Sequence, residues 1–284
     1  MPNTINLPKG IQTMLDEVYK KEAVTSVLDS SPSDLRPTQN VNEFCYPQLS
    51  VGGLGNYSRN GGYTDNAGVN LVWKTVAANY DRGTKIEVDV VDNQESFDIA
   101  FGKTAGVLIR EHVAPEGDAF TFATIAGTSG ITDLAAAGVT YADGEALLKA
   151  ILDATTAMDE AEVPSDQRYL FITPTLYKSV KALDTTKSRE ALDGFAGIIE
   201  VPGSRFNTAI TLNATNGWST SGKALNFMII HKPAVIKYDK HVASDVIDPS
   251  ANPDSDAYIS KYRRYGVVGV YENKLAGICM SHKA

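Results

Sequence analysis

Residues 31–70 carry only five charged side chains, Asp34, Arg36, Glu43, Arg59 and Asp65, yet hold Phe44, Tyr46, Leu49, Leu54, Tyr57 and Tyr63. An irregular segment so poor in charge and so rich in rings is poorly soluble alone, because burying its apolar surface is the dominant favourable term open to it. It must lie against something. Upstream, the stretch Asp29–Asn40 is made largely of Ser, Pro and Asp, has no apolar period and reads as an extended arm. Before it, Ile11, Met14, Leu15, Val18 and Tyr19 recur at helical spacing and predict a short amphipathic helix over 10–24.

Downstream, Val69, Leu71, Trp73 and Thr75 alternate with Asn70, Val72 and Lys74, and Ile86, Val88 and Val90 alternate with Glu87, Asp89 and Val91. Asp81-Arg82-Gly83 lies between the two runs as a turn signal, so the reading is a long hairpin. Arms of about nine residues extend ~30 Å. A lone two-stranded hairpin is marginal in water. This one is expected to dock on another surface, of this chain or of another.

Asp92 and Glu95 fit a capping box, and Phe97, Phe101, Ala105, Leu108 and His112 share a helix face. The helix is expected to stop before Pro115, with a second helical stretch running from there through Phe122 to Gly127. Asp143 caps a helix carrying Leu147, Leu148, Ile151, Leu152, Thr155 and Met158, Tyr169–Thr173 is a short apolar strand, and Thr173-Pro174 opens another helix. Further strands are expected at Ile198–Val201, Ala209–Leu212, Phe227–His231, Val235–Tyr238 and Tyr258–Tyr265. A closing hairpin of Val267–Tyr271 with Leu275–Met280 follows.

The chain has 284 residues, 43% apolar and 21% charged, which is globular composition for one large or two small domains. No apolar run approaches the roughly 18–20 residues of a membrane span, and MPNTINLPKG has no apolar signal core, so the expectation is a soluble chain without export. Cys45 and Cys279 are too few for a disulfide framework or a four-cysteine zinc site, which fits a reducing compartment. A net charge of −8 argues against a protein that grips phosphates with a basic patch.

No catalytic constellation emerges. Gly102-Lys103-Thr104 lacks the earlier glycine of a phosphate loop, where Phe97 stands. Gly127-Thr128-Ser129-Gly130 lacks the spacing of a nucleophile elbow. His112, His231, His241 and His282 are scattered, and His112 reads as a packed helix residue. Asp248, Asp254 and Asp256 lack the calcium-loop pattern. Tyr262-Arg263-Arg264-Tyr265 is a basic-aromatic knot whose arginines are expected to pair with carboxylates. No catalytic residue, cofactor or metal is expected.

The run GLGNYSRNGGYTDNAGVNLVWKTVAANYDRGTKIEVDVVDNQES and its continuation LIREHVAPEGDAF resemble tailed-bacteriophage major capsid proteins. VPSDQRYLFITPTLYKSV, IIEVPGSRF and the C-terminal RRYGVVGVYENKLAGI are similar to later parts of that family, in consistent order. The resemblance implies an α+β chain of the Hong Kong ninety-seven fold. It would have an N-terminal arm (1–47), an extended loop and return strand (48–94), a spine helix of the peripheral domain (95–130), an α/β axial domain (131–240) and closing peripheral strands (241–284).

It further implies a structural, non-enzymatic subunit that forms hexamers and pentamers of an icosahedral head around double-stranded DNA. The head would be assembled in the host bacterial cytoplasm and kept in the virion, with a portal and separate scaffolding or decoration proteins as partners. DNA would be contacted weakly and no membrane at all. Because the arm starts within about ten residues of Met1, a cleaved scaffolding segment is not expected; Lys74 and Lys85 are hairpin lysines without an identified cross-linking partner. The inter-subunit residues expected on this resemblance are Phe44, Tyr46, Tyr57, Arg59, Tyr63, Trp73, Lys74, Tyr80, Asp81, Arg82, Lys85, Arg205, Arg263 and Arg264, with Arg82 as an ion-pair donor between subunits. The alternatives are an encapsulin-type nanocompartment shell protein and, from another class, a monomeric hydrolase or sugar-binding module.

Overall fold

The computed structural model of the chain describes residues 23–31, 36–37, 42–63, 68–95, 103–215 and 217–284. The helix expected over 10–24 lies outside them but for its last two residues, as do Phe97 and Phe101 and much of the arm over 29–40.

The central sheet runs in the order β5 (Thr132–Asp133), β12 (Ile278–His282), β9 (Trp218–His231), β6 (Arg168–Ile172), β7 (Gly197–Glu200). A further strand, β8 (Asn207–Leu212), pairs with the outer half of β9. Side chains alternate across a strand, and here both sets are apolar. Leu170, Ile172, Phe227, Ile229 and Cys279 point to one side. They meet Leu147, Leu148, Ile151, Ala154 and Met158 of the Gly144–Glu160 helix. Asp143 caps that helix as expected, accepting from the Ala146 amide at 2.8 Å. Burial, reinforced by the charge of Asp133, pushes the Cys279 thiol up to about 12. Phe171, Met228, Ile230, Ile278 and Met280 point to the other side, onto Phe122 and Ile125 of the Ala114–Ala126 helix. There the Phe122 ring meets Phe171 and Phe206 edge-on, with centroids 5.2 and 4.9 Å away.

Pro115 does not end a helix. Thr104–Leu108 leads through a π-helical turn, Ile109–Val113, into Ala114–Ala126 without a break. The Ala114 amide bonds to the Ile109 carbonyl, five residues back. Proline lacks an N–H and crowds the carbonyl four residues before it. Widening the turn just ahead of Pro115 accommodates both, and 23 helical residues run on for about 34 Å. The shifted register also leaves His112 exposed rather than packed.

Both expected hairpins pair differently. The Val69–Ala77 strand (β3) pairs with β2 (Glu43–Val51), to which β1 (Arg36–Pro37) adds at the base. The Tyr80–Asp89 strand (β4), which contains the supposed turn Asp81-Arg82-Gly83, pairs with β11 (Ala257–Val270), and β11 in turn with β10 (Val235–Ile247). The Asn79 side chain makes the change of partner: its amide nitrogen donates to the Val268 carbonyl at 2.7 Å and its oxygen accepts from the Val268 amide at 3.0 Å. At the C-terminus, a 3-10 segment (Glu272–Gly277) carries the chain from β11 to β12 in the central sheet, so no closing hairpin forms.

The described part of the arm docks on its own body. The buried Asp118 carboxylate accepts from the amides of Val24 and Thr25, from the Thr25 hydroxyl at 2.7 Å, and from Arg205 at 2.9 Å. Lys237 donates to the Thr25 carbonyl and to Asp29, and Leu28 is buried in the core. One carboxylate thus joins the arm, the long helix and the Gly203–Arg205 turn.

Two substitutions test this frame. Phe122→Ala is expected to lower stability by about 3–5 kcal/mol, read from equilibrium urea unfolding. Asp118→Ala removes the carboxylate that a buried guanidinium and three further donors share, and a loss of about 3–5 kcal/mol is expected in the same measurement.

Candidate assembly surface

The β2–β3 ribbon is buried at one end and exposed at the other. At its base Phe44 is 1% exposed and packs edge-on against Tyr238, while Tyr46 packs against Tyr271, in a cluster completed by Ile236 and Val267. Beyond Gln48 the ribbon leaves the body. Its register places Pro47 opposite Trp73, Leu49 opposite Leu71 and Val51 opposite Val69. These three cross-strand pairs share one face, because positions two apart along a strand do. All six residues are exposed, Val69 to 68% and Trp73 to 48%. The outer positions of the other face carry Gln48 with Val72 and Ser50 with Asn70. The outer ribbon is therefore amphipathic, with its apolar face in solvent.

At the tip, a Ser58–Gly62 bridge closes a small turn, and the rings of Tyr57 and Tyr63 meet at 5.1 Å. Tyr63 is 91% exposed, Leu54 fully so, and Arg59 is exposed beside them.

The expected interface residues divide accordingly. Tyr57, Arg59, Tyr63 and Trp73 lie on the exposed part of the ribbon, with Lys74 half-exposed where the ribbon meets the body. Phe44, Tyr46, Tyr80 and Arg205 are buried within their own chain and have almost no surface to give a neighbour. Arg82 is engaged within its own chain. It forks onto Glu116 (2.7 and 3.3 Å) and donates to the carbonyls of Asn213 and Gly217, so its partners are intrachain. It joins β4, the long helix and the β8–β9 turn, because Asp81-Arg82-Gly83 is strand and not loop. Burial and the nearby Glu116 charge raise the Tyr80 hydroxyl well above the usual tyrosine range. Arg264 is held by Asp239 at 2.9 Å and covers the Tyr80 ring. Arg263 grips Asp81 through two hydrogen bonds on the exposed face of the β4–β11 pair and holds that carboxyl below its ordinary range. Lys85 pairs with Glu87 on its own strand. The arginines of the basic-aromatic knot thus do meet carboxylates.

Pro47, Leu49, Val51, Val69 and Leu71 are exposed members of the apolar face that the expected interface residues omit. The signal for them was the register: only the pairing of β2 with β3 puts Leu49 beside Leu71. Among the described residues no group of three or more His, Cys, Asp or Glu side chains could hold a metal ion, and no helix is long and apolar enough to cross a membrane.

Neither a protein-family model nor a curated protein matches the sequence. Solved structures do match along nearly the whole chain. The capsid of cyanophage P-SCSP1u aligns with a TM-score of 0.66 and 16% identity over 98% of this chain and 93% of that one. The mature capsid of bacteriophage PhiM1 gives 0.63 and 11%, covering 98% and 92%. A virus-like particle from Pyrococcus furiosus gives 0.55 and 13%, covering 91% and 97%. The chain has the α+β architecture of these capsid subunits, the Hong Kong ninety-seven fold that its sequence resemblance implied.

Proposed function

We propose that the chain is a shell subunit, the major capsid protein of a tailed phage, which assembles through hexamers and pentamers into an icosahedral head around double-stranded DNA. The observation that carries this reading is the solvent-facing ladder Pro47/Trp73, Leu49/Leu71, Val51/Val69 on a chain with a capsid fold. A contiguous exposed apolar face marks an interaction surface, and copies of the same chain are the partner that a capsid fold suggests. Tyr57, Tyr63 and Arg59 at the tip, and the exposed Asp81–Arg263 pair, extend the surface on which a neighbour would sit.

The chain's net charge of −8 suits a container for a polyanion, since a wall that gripped each phosphate would hinder packing and release. On this reading the subunit assembles in the host bacterial cytoplasm, remains in the virion, and meets a portal and separate scaffolding or decoration proteins.

A second reading is a nanocompartment shell around protein cargo; the likeness to a virus-like particle from Pyrococcus furiosus keeps a shell other than a phage head in view, at a lower TM-score than the phage capsids. The contents separate the two: particles purified from the producing cells hold nuclease-protected double-stranded DNA on the first reading and protein on the second.

The surface itself is tested by Leu71→Asp on the apolar face, with Asn70→Asp on the opposite face as control. Electron microscopy and light scattering are expected to show closed particles for the parent and the control and dispersed subunits for Leu71→Asp, all three with the same thermal midpoint. Particles formed equally by all three would refute the apolar face as the assembly contact, and no particles from the parent would refute the shell reading itself.

A further inference from the structure

Three consecutive residues of the segment between β11 and β12 each hold one residue of the ribbon. The Tyr271 ring meets the Tyr46 ring edge-on, with centroids at 4.8 Å. The Glu272 carboxylate pairs with Lys74 Nζ at 2.9 Å. Asn273 Oδ1 accepts from Gln48 Nε2 at 2.7 Å. Tyr46 and Lys74 are direct cross-strand partners, so one turn grips both strands at the same rung. The turn is itself braced. Lys274 lies over the Tyr271 ring and donates to the Pro233 carbonyl, and Gly277 is buried just before β12 enters the central sheet.

Beside this contact a cleft of about 830 Å³ opens. The ribbon's Tyr46–Leu49 segment lines one wall and Ser30, Gln167 and Lys232 lie among the residues opposite. Among the described residues nothing fills the space beneath the ribbon there. A two-stranded ribbon bends and twists easily, and this one has room to swing.

We propose that Tyr271, Glu272 and Asn273 are positioning residues: a clamp that fixes the angle at which the ribbon leaves the body and so aims its apolar face at a neighbouring subunit. The Lys74–Glu272 bridge is partly exposed, and such a pair contributes little to folding. Its role is directional, because it lies at the outermost rung of the buried base, next to the exposed ladder. The clamp deepens the shell reading, yet the angle belongs to the single chain and is measurable without assembly.

The test places spin labels at Ser50→Cys on the ribbon and Lys149→Cys on the Gly144–Glu160 helix, both exposed, in a Cys45→Ser chain whose remaining Cys279 is buried. Distances are read by pulsed electron resonance on dispersed subunits held in that state by Leu71→Asp. Relative to that parent, Lys74→Glu is expected to broaden and shift the distance distribution with the thermal midpoint unchanged. Adding Glu272→Lys restores the pair with its charges exchanged and is expected to return the distribution to the parent's. Tyr271→Ala with Asn273→Ala broadens it again. Distributions that overlay the parent's in Lys74→Glu and in the Tyr271→Ala, Asn273→Ala chain overturn the clamp, as does an exchange that fails to restore the parent's. A chain that retains Leu71 and the clamp but forms no particles would instead count against the shell reading.

Discussion

The central sheet is apolar on both faces, and the rest of the molecule follows from covering them. Strands β6, β9 and β12 send Leu170, Phe227 and Cys279 one way and Phe171, Met228 and Met280 the other. A sheet of this kind needs a layer on each side. The Gly144–Glu160 helix supplies one layer and the Ala114–Ala126 helix the other. The second helix carries Glu116 and Asp118 toward opposite clients. Glu116 holds Arg82 of β4, and Asp118 holds the arm and Arg205. Buried charges persist only when paired and hydrogen-bonded, so these contacts also fix where the arm and the second sheet lie against the helix.

That packing requires the last strand of the chain. β12 sits between β9 and β5, so residues 278–282 complete a sheet begun near residue 132. The Glu272–Gly277 segment is anchored at both ends, by β11 in one sheet and by β12 in the other, and this holds the turn at the ribbon's root in place.

Much of this was legible in the residues, and what was not has a physical cause. The Asp143 cap with its i, i+3, i+4 apolar set located the Gly144–Glu160 helix, and apolar runs located β6, the end of β9 and the start of β10, since such patterns are local. Strand pairing is not local. The hairpin reading rested on Asp81-Arg82-Gly83 as a turn, but those residues are strand, and only Ala78 and Asn79 separate β3 from β4. Asn79 instead uses its amide as a surrogate backbone group on Val268 and passes the chain to another sheet, an event that no spacing encodes. The same holds for Arg82, whose partners Glu116, Asn213 and Gly217 are 34 to 135 residues away. The aromatic segment around residues 44–63 is expected to lie against a surface. Its base does so within its own chain, at Tyr238 and Tyr271, while Leu54, Tyr57 and Tyr63 of its outer part are exposed.

The size of that uncovered face bears on how a shell could hold together. Six ladder residues, each about half covered already, would contribute roughly 5–9 kcal/mol if a neighbour covered the rest, at ~1.5–3 kcal/mol for each full burial. Association of two proteins costs about 4–15 kcal/mol in lost translational and rotational freedom. One ribbon contact therefore gives weak binding or none, and a pair of subunits is not a stable product. On the proposed shell reading every subunit of a closed ring would both give a ribbon and receive one, so closure would leave no ribbon uncovered. A ribbon whose angle wandered would spend part of this small margin on being ordered. A fixed angle at the root keeps the margin for the contact itself, which is why three side-chain contacts of little individual energy at Tyr271, Glu272 and Asn273 carry weight beyond their contribution to folding.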